Sequence, residues 1–446
     1  MPELIEDPTR TAGKAAAKVP GRWRQLGLLG GTMMVDNTES GVVSGLFPVI
    51  RQALGLSLGA LGVLTAAGKL VGVFSAPLWV WAAQRWSRKG VLVVCTGLWG
   101  VWGIAAGFAQ NFTQFLVCAT ILAAGYAGAP PLVNALVGDL FDGPSRGRAV
   151  GMLYGVIALS TSLLGPLIGQ LAGVRDGWRL GLWDIGVFNV LFGLVLWRTL
   201  RDPGRGASEP QLADLGAVAR AGLSRVTCAQ LTALLRIRSL VVLLVSRLLS
   251  GHLLVASFAV VFLVDVYGFS TQKATVVLMP YGIGYFAGTL LGGLVADWAA
   301  RRSPRHGLPA VLQAAQLAFA AVAFLGTQFS YGVIGAYALF FGLMGLAQGV
   351  NPGVNRPMLM AVVPPELRAP AFTLYVSVFE AIAWAIFGLG AGYLGEAVGL
   401  RTTFLWVLVV LMVVNALFLT LMYRTYGPDV ERAQRELDHR RAQALS

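Results

Sequence analysis

Asp36 and Glu39 stand three residues apart in the middle of an apolar stretch, residues 25–50, QLGLLGGTMMVDNTESGVVSGLFPVI. On a helix that spacing puts both carboxyls on one face, a turn apart. Two carboxyls so close and out of water resist double ionisation. A group that gains and loses one proton in the working pH range can couple a proton gradient to other work. The plainer reading is a pair of structural hydrogen-bonding groups, or a pair neutralised by Lys69 in the next apolar segment. Lys69 could equally contact a phosphate or carboxylate. Glu380 is the lone deep carboxylate of the second half, and Trp384, four residues on, shares its face. Arg247 and His252 share another apolar segment, not quite on one face. Arg247 can snorkel to the surface, and His252 can titrate near neutral pH. Gln348, Asn351, Asn355 and Arg356 cluster in one more segment, where Pro352 and Pro357 free backbone carbonyls and favour a kink. Binding, gating and simple helix packing all fit that cluster.

Ionisable groups in long apolar runs demand elements that hide them. Of the 446 residues, 56% are apolar and 12% charged, with a mean hydropathy of +0.69. Soluble domains average about 45–50% apolar and 25% charged. A helix crosses a bilayer in about 20 residues. The apolar segments number twelve: 25–50, 58–84, 90–109, 113–138, 148–172, 180–200, 239–264, 272–299, 308–326, 332–359, 370–394 and 402–423. This divides the chain into a polar N-tail (1–24), a first six-helix bundle (25–200), a linker (201–238), a second six-helix bundle (239–423) and a charged C-tail (424–446). In the linker Leu212, Leu215, Val218, Ala219, Leu223 and Val226 recur at helical spacing, as in an amphipathic helix on a membrane surface. A partly ordered linker is the alternative.

The net charge of +13 raises the question of nucleic acid. The positions of the charges answer it. With the N-terminus inside, 26 of the 34 Lys and Arg fall in cytoplasmic stretches and five in external loops (Arg51, Arg175, Arg179, Lys273, Arg401). Lys69, Arg247 and Arg356 lie inside helices. This fits the positive-inside rule with both termini cytoplasmic, the basic residues facing anionic inner-leaflet lipid. Cys95, Cys118 and Cys228 share no metal-ligand spacing, so no zinc site or disulfide framework is indicated. The N-terminus shows no short apolar core before a cleavage site, so targeting falls to the first spanning helix. No phosphate loop, zinc-binding His pair or nucleophile elbow is present in the sequence.

The halves repeat. Pro131-Leu-Val133-Asn134 in the fourth segment corresponds to Pro352-Gly-Val354-Asn355 in the tenth. Gln84-Arg85-Trp-Ser-Arg88-Lys89 follows the second segment, and Gly293-Leu-Val-Ala-Asp297 with Arg301-Arg302 closes the eighth. Two halves joined by a long inner loop suggest duplication about the membrane normal. The loop motif resembles the signature of the major facilitator superfamily over about residues 25–423. Val35-Asp36, Ala76-Pro77, the 84–89 loop, Asp139-Leu-Phe141 and Arg201-Asp-Pro203-Gly-Arg205-Gly206 resemble the spinster-type branch, proton-coupled carriers of lysophospholipids and sphingoid lipids. That branch usually has Arg where this chain has Asn37, Glu where it has Tyr126, and Asp where it has Gln84. The same coupling circuit is therefore not carried over, and Glu39 is a candidate substitute.

The residues inside the apolar segments give the coupling and cavity roles, and the resemblance adds the loop charges. Proton coupling falls to Asp36, Glu39 and Glu380. A substrate cavity would take in Lys69, Tyr126, Asn134, Arg247, His252, Gln348, Asn351, Asn355, Arg356 and Trp384. Arg85, Arg88, Asp139, Asp297, Arg301 and Arg302 would form a conformational charge relay that breaks and remakes as the halves rock. Gly165-Pro166-Leu-Ile-Gly169 resembles part of an exporter motif, although small residues permit close helix approach in any membrane protein. The expected fold is an all-α membrane protein of twelve transmembrane helices in two pseudosymmetric bundles. The expected function is secondary transport by alternating access, proton-coupled, of an amphiphile such as a lysophospholipid. An exporter of drugs or hydrophobic compounds is the runner-up. A lipid-modifying membrane enzyme and a non-transporting sensor are the readings of another class. No cofactor or metal is expected, and no nucleic-acid partner. Partners are the substrate and membrane lipid, with the chain working as a monomer, in a bacterial inner membrane.

Overall fold

The computed structural model describes residues 21–141, 143–204, 232, 234–363 and 367–445. Most of the N-tail, residues 205–231 of the linker with the expected surface helix, and residues 364–366 lie outside the described residues. Among the described residues the chain is helical with no strand.

Among the described residues twelve long helical units follow in order, with a short helix, Phe47–Leu54, between the first two: α1 (Arg22–Gly45), α2 (Leu58–Arg85), α3 (Arg88–Gly107), α4 (Phe112–Leu140), α5 (Gly143–Gln170) and α6 (Gly177–Thr199). The second set is α7 (Arg238–Leu248 continued by Gly251–Tyr267), α8 (Thr271–Arg302), α9 (Gly307–Gln328), α10 (Ile334–Val362), α11 (Thr373–Val398) and α12 (Leu400–Arg435). Ten are long and apolar enough to cross a membrane by themselves, and α7 is an eleventh, bent by 40°. Helix α1 is long enough at 24 residues. Its run Asp36-Asn37-Thr38-Glu39-Ser40 makes it the polar exception. Large apolar side chains point outward along the others, as with Phe74 (73% exposed), Leu167 (65%) and Leu294 (67%). Such a belt suits hydrocarbon, not water.

The bend in α7 has a local cause. Gly251 lies against the backbone of α12, where a Cβ would stand 2.0 Å from the Val407 carbonyl oxygen. The chain leaves the helical ladder there and passes through a single 3-10 turn, Gly251–Leu253.

The termini-bearing end of the bundle, with Arg22, Arg85 and Arg302, is here called the terminal end, and the opposite end the far end. One buried apolar cluster spans both halves at the far end, joining Phe47, Leu61 and Trp178 to Phe258, Phe387 and Leu400. Toward the terminal end the core divides. Leu29, Leu132 and Phe141 belong to a cluster within the first half, and Leu243, Met358 and Met422 to one within the second. The halves are therefore packed together at one end and separate at the other. Between them α2 runs against α11, and α5 against α8.

Helices approach closely where glycine removes the side chain. On the α8–α10 seam a Cβ at Gly345 would lie 1.9 Å from the Tyr281 carbonyl oxygen, and one at Gly288 2.2 Å from that of Leu346. On the α2–α11 seam a Cβ at Gly62 would lie 2.4 Å from the Gly388 carbonyl oxygen. Gly345→Val is therefore expected to lower the unfolding temperature and the monodisperse yield in detergent, at a cost on the order of 1–3 kcal/mol or more for overpacking. Gly27→Ala, with open space around it, is the matched control and is expected to change neither.

Candidate functional site

A cavity of about 730 Å³ lies between the halves. Helices α1 and α5 line it from the first half, and α7, α8, α10 and α11 from the second. Its ionisable lining residues are Arg247, Arg356 and Glu380, and its aromatic ones Tyr154, Tyr281, Tyr285, Phe286 and Trp384. Leu253, Val255, Leu278 and Met279 add an apolar wall. Many of the small polar groups are already spent. Thr38 donates to the Met34 carbonyl at 2.7 Å, Ser162 to Ala158 at 2.8 Å and Thr289 to Tyr285 at 2.9 Å. A hydroxyl bonded back to its own helix offers little to a ligand. Recognition is left to the charged groups, the tyrosines and Gln348.

Arg247 and Glu380 form an ion pair across the α7–α11 contact at 2.6 Å. The Arg247 guanidinium also lies 5.6 Å from the Tyr375 ring centre, and its Nε has no acceptor. Helix α11 passes through a wide π-helical stretch, Thr373–Phe379, immediately before Glu380. Such insertions rotate the residues that follow and are frequent at functional sites. The Tyr281 hydroxyl donates to Gln348.

Asp36, Glu39 and Glu380 do not share this cavity. Asp36 and Glu39 are buried (5% and 0% exposed) behind α1, on its side away from the cavity. Glu39 accepts from Asn189 Nδ2 of α6 at 3.0 Å and rests on α3, where a Cβ at Gly103 would lie 2.0 Å from its Oε1. Neither Asp36 oxygen has a partner, nor has Glu39 Oε1. The reason is helical phase. Asn37, Gly41 and Ser44 form the stripe of α1 that meets the cavity, and at 100° per residue the two acids fall on the far side of the helix, against α3 and α6. Tyr126 of α4 stands beside Ser40, in the field of Glu39, and is not part of the cavity wall. Lys69 makes no link to these acids. It is exposed, with Nζ 4.7 Å from the ring centre of Trp384.

The remaining expected cavity residues divide. Gln348, Arg356 and Trp384 line the wall. Asn134 stands behind it, donating to the Tyr154 hydroxyl at 2.8 Å. His252, Asn351 and Asn355 are corrections. His252 is 2% exposed, packed edge-on to Phe319 in the break of α7, with Nδ1 unpartnered. Asn351 accepts from Gln316 of α9 at 2.9 Å, and Asn355 is buried at 7% exposure. At 100° per residue the stripe Gln348, Pro352, Arg356 sits roughly a quarter-turn from Asn351 and Asn355, so one face meets the cavity and the other the second half's interior.

Of the loop charges, Arg88 is buried and bridges Asp139 at the end of α4 to Asp202 after α6. Arg85, Asp297, Arg301 and Arg302 are exposed. Sequence reasoning missed Asp202 as a partner, and it missed the far-end clasp between the halves. There Arg51 pairs with Asp265 at 2.6 Å, and Glu396 of α11 accepts the Gly59 amide of α2 at 2.6 Å. Opposite charges at the two ends of the halves were the only signal available. Among the described residues no group of three or more His, Cys, Asp or Glu could hold a metal ion.

The sequence model of the Major Facilitator Superfamily matches residues 29–312. The crystal structure of a bacterial homologue of the human lysosomal transporter spinster, inward-facing and unoccupied, superimposes with a TM-score of 0.77 at 20% identity, covering 92% of this chain and 98% of that one. At that identity the likeness concerns the fold. A probable 4-methylmuconolactone transporter of Cupriavidus pinatubonensis is 26% identical over 38% of this chain and 40% of its own length. Protein spinster of Drosophila melanogaster is 23% identical over 42% of this chain and 31% of its own. The chain thus spans less than half the length of either relative. A chloramphenicol resistance protein of Streptomyces lividans is 26% identical over 60% of this chain and 66% of its own length.

Two substitutions test this account of the site. Asn189→Leu removes the one donor to Glu39 and is expected to lower the unfolding temperature, by on the order of 1–3 kcal/mol for the stranded polar group. Glu380→Gln leaves Arg247 uncompensated and is expected to destabilise, while adding Arg247→Gln to it recovers stability, since breaking a buried pair costs more than deleting it. Thermal unfolding in detergent reads both.

Proposed function

The chain belongs to the major facilitator superfamily, and from that premise we propose that this transporter moves an amphiphilic substrate by alternating access, driven by a proton gradient. The observation that carries the reading is the one-ended closure of a charged, aromatic cavity between two helical halves. The far end is clasped by Arg51–Asp265 and Glu396–Gly59, whereas the cores of the halves are separate toward the terminal end. With both termini in the cytoplasm, as the basic residues favour, the cavity opens inward and the far end faces outside. That orientation, a bacterial inner membrane and action as a monomer are part of the proposal.

Asp36 and Glu39 are the coupling candidates. In the closed-far-end state they are sealed between α1, α3 and α6. A carboxylate with no partner in such a place costs several kcal/mol. Proton exchange at the pair therefore requires water to reach it, and movement of α1 is what would admit water. Glu380 acts differently, since its pairing with Arg247 makes it a competitor of anything that binds the arginine. Arg88 with Asp139 and Asp202 holds the terminal end of the first half in one piece during rocking.

An apolar wall with a charged end suits a lysophospholipid-like amphiphile, and the similarity to spinster proteins supports that choice. The relatives named for chloramphenicol resistance and for 4-methylmuconolactone favour a second reading, the transport of small, largely apolar compounds. Proteoliposomes with an imposed pH gradient decide between them. A fluorescent lysophosphatidylcholine and radiolabelled chloramphenicol are the two cargoes. Asp36→Asn and Glu39→Gln are expected to lower gradient-driven accumulation at least tenfold while leaving exchange without a gradient in place. Unchanged accumulation by Asp36→Asn removes that residue from coupling.

A further inference from the structure

We infer that the cavity holds an anion-binding subsite centred on Arg356, so that the cargo carries a carboxylate or phosphate on its polar end. The inference rests on the carrier reading and narrows its substrate class. The walls present two cations, Arg247 and Arg356, and one carboxylate, Glu380. Glu380 is engaged with Arg247 at 2.6 Å. Arg356 has no carboxylate partner among the described residues. Its nearest aromatic neighbour is Tyr154, whose ring centre lies 5.7 Å from the guanidinium carbon. Lys69 lies outside this wall, its Nζ 4.7 Å from the ring centre of Trp384 and in the field of Glu380, so it is not the free cation.

A lone guanidinium deep in a membrane protein is costly. A single aromatic face returns on the order of 0.5–2 kcal/mol, which does not offset that cost. The missing counter-charge is then supplied by what the cavity binds. The surroundings fit an oxyanion. Arginine offers donors in a planar fork that matches carboxylate and phosphate. The Tyr285 hydroxyl lies in the field of both Arg356 and Arg247. Away from this end the wall turns apolar at Leu253, Leu278 and Met279, giving a place for the rest of the molecule.

The position of Arg356 also ties binding to movement. Arg356 belongs to α10 of the second half and Tyr154 to α5 of the first. Asn134 of α4 fixes the Tyr154 hydroxyl at 2.8 Å. An oxyanion on Arg356 that also accepts from Tyr154 would draw the two halves together across the cavity. A neutral molecule would not.

The test uses the full-length protein in nanodiscs of zwitterionic lipid, with binding read by tryptophan fluorescence. Four probes form two matched pairs. Oleoyl lysophosphatidate is set against monooleoylglycerol, and 1-naphthylacetate against 2-(1-naphthyl)ethanol. In the wild type each anion is expected to bind at least tenfold more tightly than its neutral partner. Tight binding of lysophosphatidate alone assigns the subsite to a lipid phosphate, and of naphthylacetate alone to a soluble carboxylate. Arg356→Gln is expected to erase the preference while leaving the neutral probes unchanged, and Arg356→Lys to restore part of it. Equal binding of anion and neutral probe in both pairs, no binding by either anion, or an undiminished preference in Arg356→Gln overturns the inference. Should Arg356→Gln fail to fold, the wild-type pairs and Arg356→Lys still decide. Anion preference without any flux in proteoliposomes overturns the carrier reading and leaves the subsite standing. Flux of a neutral amphiphile without anion preference does the reverse.

Discussion

Charge inside hydrocarbon is the constraint from which the rest of this structure follows. An ionisable group at mid-depth has to be paired, covered or kept next to water, and the chain uses a different arrangement for each. Glu39 takes a single amide donor from Asn189 and a glycine floor at Gly103. Arg247 and Glu380 neutralise each other. Lys69 and Arg356 rest on aromatic faces at the cavity's margin. Each arrangement needs a helix at a fixed distance and phase, so the placement of a few side chains dictates the packing of several spans.

That packing depends on backbone-to-backbone contact. Along α8 and α10 glycines face carbonyls at distances where no Cβ fits, and the second half behaves there as one body. The same device joins the halves at Gly62 and Gly388. Stiff halves meeting at a narrow seam are the arrangement in which a displacement at one end is transmitted to the other. Two of the irregular points in the helices, the bend at Gly251 and the wide turn before Glu380, adjoin the Arg247–Glu380 pair.

Much of this was legible in the sequence. Helix number and the two-half plan follow from length and hydropathy, which are additive along the chain. Charge inside an apolar segment was enough to single out Asp36, Glu39, Arg247, Arg356 and Glu380 as groups that need cover or a partner. What failed was azimuth. Residues 36 and 39 turn toward α3 and α6 while 380 meets the cavity, because several spans surround α1 and hydropathy does not say which side is wet. His252, Asn351 and Asn355 failed for the same reason. The partners Asn189, Asp202, Asp265 and Glu396 lie from about 110 to 340 residues from the groups they meet, a separation at which spacing carries no signal.

The far-end clasp sets a property of its own. Arg51 and Asp265 are each about one-third exposed (33% and 32%), so dissolved ions reach them readily. Their attraction fades within a Debye length of about 8 Å at physiological ionic strength. The hydrogen bond from the Gly59 amide to Glu396 joins a neutral donor to an exposed carboxylate, so screening weakens it less than it weakens an ion pair. The strength of that closure is thereby tied to the salinity of the medium bathing that end: a saltier environment loosens the Arg51–Asp265 contact there and leaves the more sheltered Arg247–Glu380 pair far less affected.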